Sequence, residues 1–153
     1  MRPAMRKQIL FASLLTSLLL PAGAAFAAPT GQTDPVALIP GVWDWANRPG
    51  SCQDNPQTLT LSPDRLRLTL EFKKPVLPKP GAKPQKSEVY KILDARARLL
   101  HTVVEGEPRK DPKGQPLTYD FVFASEDSFC WHRSDWPKGQ CTKMMVRCSK
   151  AAH

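Results

Sequence analysis

The stretch Arg65-Leu66-Arg67-Leu68-Thr69-Leu70-Glu71-Phe72 alternates charged or polar side chains with apolar ones at every step. A period of two is typical of a β-strand that buries one face and exposes the other. The segment around Tyr119, Phe121 and Phe123 repeats the pattern, and helical periodicity is almost absent. We therefore predict an all-β protein with eight strands, near residues 42–47, 57–61, 65–72, 88–94, 98–105, 117–124, 128–133 and 141–148.

The predicted connections between these strands alternate between short and long. Short turns with typical turn residues lie at 62–64, 94–96 and 125–127. Long connections lie at 48–56, 73–87, 106–116 and 134–140. Successive connections of an antiparallel meander lie at opposite ends, so all four long loops would fall at one end. The sequence thus predicts an up-and-down eight-stranded barrel with one tight end and one mouth, where loops on a rigid scaffold would contact a ligand or partner.

A short motif adds a family resemblance to this architecture. Gly41-Val42-Trp43, at the start of the first predicted strand, resembles the Gly-x-Trp signature of lipocalins. Arg147, near the end of the last predicted strand, resembles the arginine that packs over that tryptophan in the family. The resemblance implies an exported bacterial protein with a small lipocalin-like barrel of the wider calycin group, in which Gly41, Trp43 and Arg147 are structural. Trp43 and Trp45 share one side of the strand, and we expect them to fill the barrel floor.

The N-terminus indicates export. Arg2, Arg6 and Lys7 precede an apolar run that is followed by small residues, the pattern of a secretory signal peptide. Ala25-Phe26-Ala27 predicts cleavage before Ala28, and the apolar run is shorter than the about 20 residues that span a bilayer. We predict a cleaved signal peptide over 1–27, a single β-barrel domain over 28–153 with no transmembrane segment after cleavage, and a periplasmic or secreted protein.

Four cysteines follow the predicted cleavage point. An even number in an exported chain of this size predicts two disulfides, formed by Cys52, Cys130, Cys141 and Cys148. A zinc site that includes His132 is the alternative, but the gaps between these residues do not match paired zinc ligands, so we expect no metal. From the barrel topology we favour Cys52 with Cys141 and Cys130 with Cys148. The chief rival joins Cys130 and Cys141 across the final hairpin.

The segment 73–87 is the strongest compositional anomaly. It carries five lysines and four prolines and is predicted to be an extended loop at the mouth. Removal of residues 1–27 lowers the formal net charge from +8 to +5, so the five lysines of this loop would place most of the remaining net charge at the mouth. The positive charge of this loop predicts attraction to an anionic component of the envelope. The candidate binding residues are these lysines and one aromatic residue of the last long loop: Lys73, Lys74, Lys79, Lys83, Lys86 and Trp136.

Motifs of catalysis are missing from the sequence. It contains no G-x-S-x-G elbow, H-E-x-x-H helix or phosphate-binding glycine loop. We therefore expect no catalytic residues and no cofactor, and a monomeric, non-enzymatic protein that binds a small apolar ligand or an anionic envelope component. The alternatives are an inhibitor or interaction module of the lysozyme or protease inhibitor type, and an envelope hydrolase. Nucleic acid is not an expected partner, because no aromatic residues are interleaved with the lysines.

Overall fold

The computed structural model describes residues 34–78 and 80–148. Eight antiparallel strands close into one barrel in sequence order, with the last strand paired to the first. The prediction of an all-β, up-and-down, eight-stranded barrel with two disulfides is confirmed. The strands are β1 Gly41–Trp45, β2 Gln57–Leu61, β3 Arg67–Val76, β4 Gln85–Arg96, β5 Leu99–Val104, β6 Thr118–Ser125, β7 Ser128–Arg133 and β8 Met145–Arg147.

The connections follow the predicted alternation, with two corrections. The loop predicted over 73–87 is wrong at both ends, because β3 continues to Val76 and β4 begins at Gln85. Beyond a register shift after Glu71, Val76 still pairs with Gln85, so the two arms form a hairpin that extends past the barrel wall. The strand predicted over 141–148 is also too long: only Met145–Arg147 pair, because Thr142 exchanges hydrogen bonds with Trp131 of β7 outside the regular ladder.

A column of aromatic rings fills the barrel from its closed end towards its mouth. Trp43 lies at the floor, fully buried, with its ring centroid 4.8 Å from that of Phe129. Phe129 contacts Phe121 at 5.4 Å, and Phe121 contacts Trp131 at 5.6 Å. These residues occupy the inward positions of their strands, since alternate residues of a strand face the same side. Trp45, in contrast to our prediction for it, lies at the upper end of this column, 5.5 Å from Trp131.

A short helix that the sequence analysis missed covers the closed end. Helix α1 spans Pro35–Leu38, and its N-cap Asp34 accepts a hydrogen bond from the backbone of Val36. The following residue, Ile39, is fully buried, and its carbonyl accepts the indole N–H of Trp43 at 2.9 Å. Four residues are too few for a visible helical period, so the pattern of the sequence carries no signal for it.

Arg147 locks this cover onto the barrel. Its guanidinium lies 4.2 Å over the ring of Trp43 and donates to the carbonyl oxygens of Leu38 and Pro40 and to the carboxylate of Asp127. The contact between Arg147 and Trp43 that the lipocalin resemblance implies is thus present. Gly41 permits it, because a Cβ there would lie 2.5 Å from Nη1 of Arg147. Gly41 also has a φ of +146°, which L side chains rarely adopt.

The favoured disulfide pairing is wrong. The structure joins Cys52 to Cys148 and Cys130 to Cys141. The predicted loop 48–56 places Cys52 at the mouth, but the loop 46–56 folds back over the outer face of β1. Buried Asp44 holds it there, because its carboxylate accepts the backbone N–H of Cys52 at 2.8 Å. Cys52 is thereby brought beside the end of β8.

Two disulfides are typical of an exported protein. The predicted signal peptide, residues 1–27, lies outside the described residues. Within the ranges 34–78 and 80–148, no helix is long and apolar enough to cross a membrane.

Candidate functional site

A cavity of about 400 Å³ opens at the mouth of the barrel, above the aromatic column. Strands supply most of its wall, and the loops after β1, β5 and β7 supply the rim. Its lining residues are Trp45, Arg48, Asn55, Gln57, Leu70, Phe72, Val76, Glu88, Tyr90, Arg109, Tyr119, Trp131, Arg133, Trp136 and Thr142.

Aromatic rings dominate this wall. Trp45 and Trp131 meet edge to face on one side, and Tyr90 and Tyr119 meet in the same way on the other, with centroids 6.0 Å apart. Trp131 belongs to β7 and Tyr119 to β6, where strand alternation turns both side chains inward. Rings fixed by neighbouring strands form a preorganised apolar surface for a flat or apolar group.

At one wall, the lining residues Arg109 and Tyr119 are joined by Glu107, whose side chain is buried and which is not itself a lining residue. The Glu107 carboxylate accepts two hydrogen bonds from the Arg109 guanidinium, at 2.7 and 2.8 Å, one from the Arg109 backbone N–H at 3.0 Å, and one from the hydroxyl of Tyr119 at 2.8 Å. Arg109 also donates to the Tyr119 oxygen. The Arg109 hydrogen bonds lower the pKa of Glu107 from 4.5 to about 2, and burial raises the pKa of Tyr119 above its usual value. Glu107 therefore stays ionised and Tyr119 neutral at physiological pH.

A second carboxylate on the same wall is also engaged. Tyr90, 5% exposed, donates its hydroxyl proton to Glu88 at 2.5 Å. The pKa of the Tyr90 phenol is raised well above its ordinary value. Burial is the larger cause, and the charge of Glu88 is the next. Both tyrosines thus remain neutral donors.

A neighbouring part of the rim is built around Trp136. Arg133 at the end of β7 lies over its ring at 5.1 Å and makes two hydrogen bonds to Asp135, at 2.5 and 3.0 Å. The cation–π contact and the ion pair together fix the indole against the cavity.

Three buried polar atoms of the cavity wall have no hydrogen-bond partner: Nε of Arg48, Oε1 of Gln57 and Nε1 of Trp131. They are all the unpartnered buried side-chain nitrogen and oxygen atoms within 34–78 and 80–148, and all three belong to residues that line this cavity. Gln57 is only 6% exposed. A buried polar group without a partner costs folding free energy, and in this cavity the two nitrogens are available as donors and the oxygen as an acceptor.

The structure separates the predicted binding residues into two groups. Trp136 lines the cavity, whereas Lys73, Lys74, Lys83 and Lys86 do not line it. Those lysines are exposed on the β3–β4 hairpin. Lys79 lies outside the described residues. Whether any of these residues binds a ligand stays a prediction.

Sequence reasoning missed Gln57, Glu88 and Arg109 as cavity residues. One signal was available: Gln57 occupies an inward position of β2, in step with Leu59 and Leu61, and a polar residue in an apolar register is unusual. Arg109 lies on a loop whose path the sequence does not determine. Glu88 is the first residue of β4 that faces the cavity, and Tyr90, two positions later, faces it as well. Both are polar side chains at inward strand positions, which is the same signal as that of Gln57.

Lysines and arginines differ consistently in this protein. Each of the eight described arginines makes a hydrogen bond or ion pair with an oxygen; for seven the acceptor is a carboxylate, and Arg98 donates to the carbonyl of Ala124. None of the nine lysines in the described ranges lies within 4 Å of a carboxylate oxygen. The forked guanidinium suits fixed ion pairs, whereas the lysine charge stays free and hydrated.

Of the cysteines in the zinc alternative, Cys130 is bonded to Cys141 and Cys148 is bonded to Cys52, and Nδ1 of His132 donates a hydrogen bond to the carbonyl of Gln140. In the part of the chain that the structure describes, no group of three or more potential ligand side chains is placed to hold a metal ion. Comparisons with protein-family models, curated proteins and solved structures found no match to this chain.

Proposed function

We propose that this protein is an exported, non-enzymatic binding protein, periplasmic or secreted, whose barrel mouth holds one small ligand with an aromatic or other apolar body. The observation that carries this proposal is the cavity itself. About 400 Å³ falls within the range of small-molecule sites, about 300 to 1,000 Å³. Its wall combines six aromatic side chains with a few polar groups, the usual composition of such sites.

The polar groups of the wall support binding rather than acid–base chemistry. A general acid or base works best when its pKa lies near the operating pH. Here the pKa of Glu107 is lowered to about 2, and those of Tyr90 and Tyr119 are raised. Groups shifted away from neutrality in this way hold fixed charges and donors that orient a ligand.

The unpartnered atoms favour a ligand with polar groups at one end. Trp131 and Arg48 each bear a nitrogen that can donate, and Gln57 bears an oxygen that can accept. A small rotation of these side chains would let a hydroxyl or amide of the ligand pair with them. We therefore expect an amphiphilic molecule, with its apolar body against the rings.

Fluorescence titration tests this proposal. The probe is N-phenyl-1-naphthylamine, an uncharged aromatic compound, and its sulfonated relative 1-anilinonaphthalene-8-sulfonate tests whether an anionic group helps. We expect saturable binding with one site per chain. Trp136→Ala should weaken it about ten-fold, the value of one well-placed aromatic contact.

A matched control uses exposed apolar residues outside the cavity. Leu66 and Leu93 are 57% and 47% exposed and do not line it, so Leu66→Ser with Leu93→Ser should leave probe affinity unchanged. Equal loss in both variants, or no saturable binding by the unaltered protein, would overturn the proposal. Mass spectrometry of protein recovered from its own cells would then name the natural ligand.

A further inference from the structure

The tip of the β3–β4 hairpin presents an apolar group to solvent. Leu77 is 63% exposed, the highest value among the large apolar residues exposed in the described ranges, and the exposed Pro78 and Pro80 follow it. A leucine this exposed adds little to the hydrophobic stabilisation of the barrel. The hairpin extends beyond the barrel wall, so the tip is also the part of this element farthest from the core.

Free positive charge surrounds this tip. Lys73 and Lys74 lie on the β3 arm, Lys86 lies on the β4 arm and Lys83 lies in the connection, and all four are exposed. Among the residues of 34–78 and 80–148, the only acceptor bonded to one of these ammonium groups is the carbonyl of Gln53, which Lys73 reaches at 2.7 Å. The segment 73–86 contains five lysines and no acidic residue. Nothing within it neutralises the charge.

The neighbouring mouth segments make the charge one-sided. Together the segments 73–86, 105–117 and 134–144, here called the mouth segments, hold ten basic and four acidic residues, a formal charge of +6. The chain from residue 28 onwards holds nineteen basic and fourteen acidic residues, a formal charge of +5. Everything outside the mouth segments is therefore close to neutral, and the molecule is electrostatically polarised towards its mouth.

We propose that the mouth end docks on an anionic lipid bilayer, with Leu77 entering the headgroup layer and the hairpin lysines contacting lipid phosphates. A soluble polyanion would use the lysines but not an apolar tip. A bilayer uses both, because apolar side chains gain free energy at the interface and basic side chains are attracted to the negative surface. The cavity lining includes Val76, the neighbour of Leu77. Docking in this orientation would bring the cavity to the membrane surface, although the inference does not rest on ligand binding there.

Sedimentation with vesicles tests the docking. We expect binding to vesicles of phosphatidylglycerol mixed with phosphatidylcholine, none to phosphatidylcholine alone, and release in high salt because screening weakens the attraction. Changing Lys73, Lys74, Lys83 and Lys86 to Gln should lower the partition coefficient about a hundred-fold or more, since each lysine near an anionic surface is worth about five-fold. All proteins compared carry the same N-terminal residues, so any effect of residues 1–27 cancels.

A charge-matched variant separates position from total charge. Changing Arg65, Lys91, Arg96 and Arg98 to Gln also removes four positive charges, but from the closed end and the outer wall. This variant should keep most of the binding to anionic vesicles. Equal loss in the two variants would overturn the docking orientation. Absence of binding to anionic vesicles at low salt would overturn the inference altogether.

Two variants of the tip decide between a bilayer and a soluble polyanion. Leu77→Ser should lower the partition coefficient several-fold, and Leu77→Trp should restore it with a blue shift of the new indole on anionic vesicles. Unchanged binding by Leu77→Ser, together with full displacement by polyphosphate, would show a polyanion site and overturn docking on a bilayer.

Unfolding midpoints of all variants are measured alongside. Probe binding in the cavity is measured without vesicles, so failure of either proposal leaves the other standing.

Discussion

At the closed end of the barrel the polar groups are paired, whereas at the mouth several are not. Arg147 at the closed end donates to the carbonyls of Leu38, Pro40 and Glu126 and to the carboxylate of Asp127, while its guanidinium covers Trp43. The mouth holds the cavity, three buried polar atoms without partners and most of the free lysines. One end is built to be stable, and the other keeps interactions available.

The difference is informative because unsatisfied groups cost free energy. A domain of this size has a net stability of only about 5 to 15 kcal/mol, so polar atoms left unpaired in its wall are a measurable loss. Protein sites commonly trade stability for function in this way. Under the proposed function, the contrast between the two ends is that between a structural end and a binding end.

The two disulfides provide the largest expected contrast. Cys52–Cys148 links residues 96 positions apart beside the closed end, and Cys130–Cys141 links residues 11 positions apart at the mouth. Because a longer closed loop removes more entropy from the unfolded chain, losing the first bond should cost about 4 to 5 kcal/mol and losing the second about 3 kcal/mol. Urea unfolding of the paired alanine variants measures both costs. If losing Cys130–Cys141 lowers the free energy of unfolding more than losing Cys52–Cys148, the closed end is not the more stable end.

Tryptophans at the two ends give the next contrast. Trp43 is fully buried in the floor, whereas Trp136 is half-buried at the rim. Trp43→Ala should lower the free energy of unfolding by about 4 kcal/mol, the usual effect of removing a large core side chain. Trp136→Ala should lower it by less than about 1 kcal/mol. If denaturant titrations show similar losses in the free energy of unfolding for the two variants, Trp136 contributes to stability as much as a core residue does.

Acid should weaken the mouth through Glu107. The Arg109 hydrogen bonds lower its pKa from 4.5 to about 2, so its contribution is complete above pH 4.5 and is lost as the pH falls towards 2. The expected contribution is about 2 to 3 kcal/mol. Glu107→Gln should remove this part of the pH dependence, while exposed Glu126→Gln at the closed-end turn serves as the control. Identical acid unfolding curves for Glu107→Gln and the unaltered protein would contradict the assignment.

The smallest expected effect has the opposite sign. Gln57→Leu removes a buried oxygen without a partner and should raise the free energy of unfolding by about 1 kcal/mol. Thr102→Val is the matched case of a satisfied group: Thr102 is fully buried and donates to the carbonyl of Tyr119 at 2.9 Å, so its loss should lower stability by about 1 kcal/mol. Thermal unfolding compares the two. A destabilised Gln57→Leu protein would show that Gln57 is structural.

The strands were predictable because alternation is a local property. All eight appear, and the segment 65–72 has its inward residues Leu68 and Leu70 in the core. The long loops gather at one end, as the order of short and long connections requires. The predicted binding site was only partly accessible to such reasoning. Trp136 was placed correctly at the mouth, but the lysines lie outside the cavity, because a strand continues through residues expected to be a loop.

The sequence by itself determined the number of strands, their alternation and the end at which the long loops lie, because a residue and its neighbours two positions away decide these features. Only the tertiary structure decided the disulfide partners, the hydrogen bonds of Arg147 to the carbonyls of Leu38 and Pro40, and the composition of the cavity. Cys52 reaches Cys148 because buried Asp44 folds the first loop back along the barrel. Gln57, Tyr119 and Trp131 line one cavity because three separate strands close into a ring. Such contacts depend on where distant segments meet, and that is settled by closure of the whole barrel.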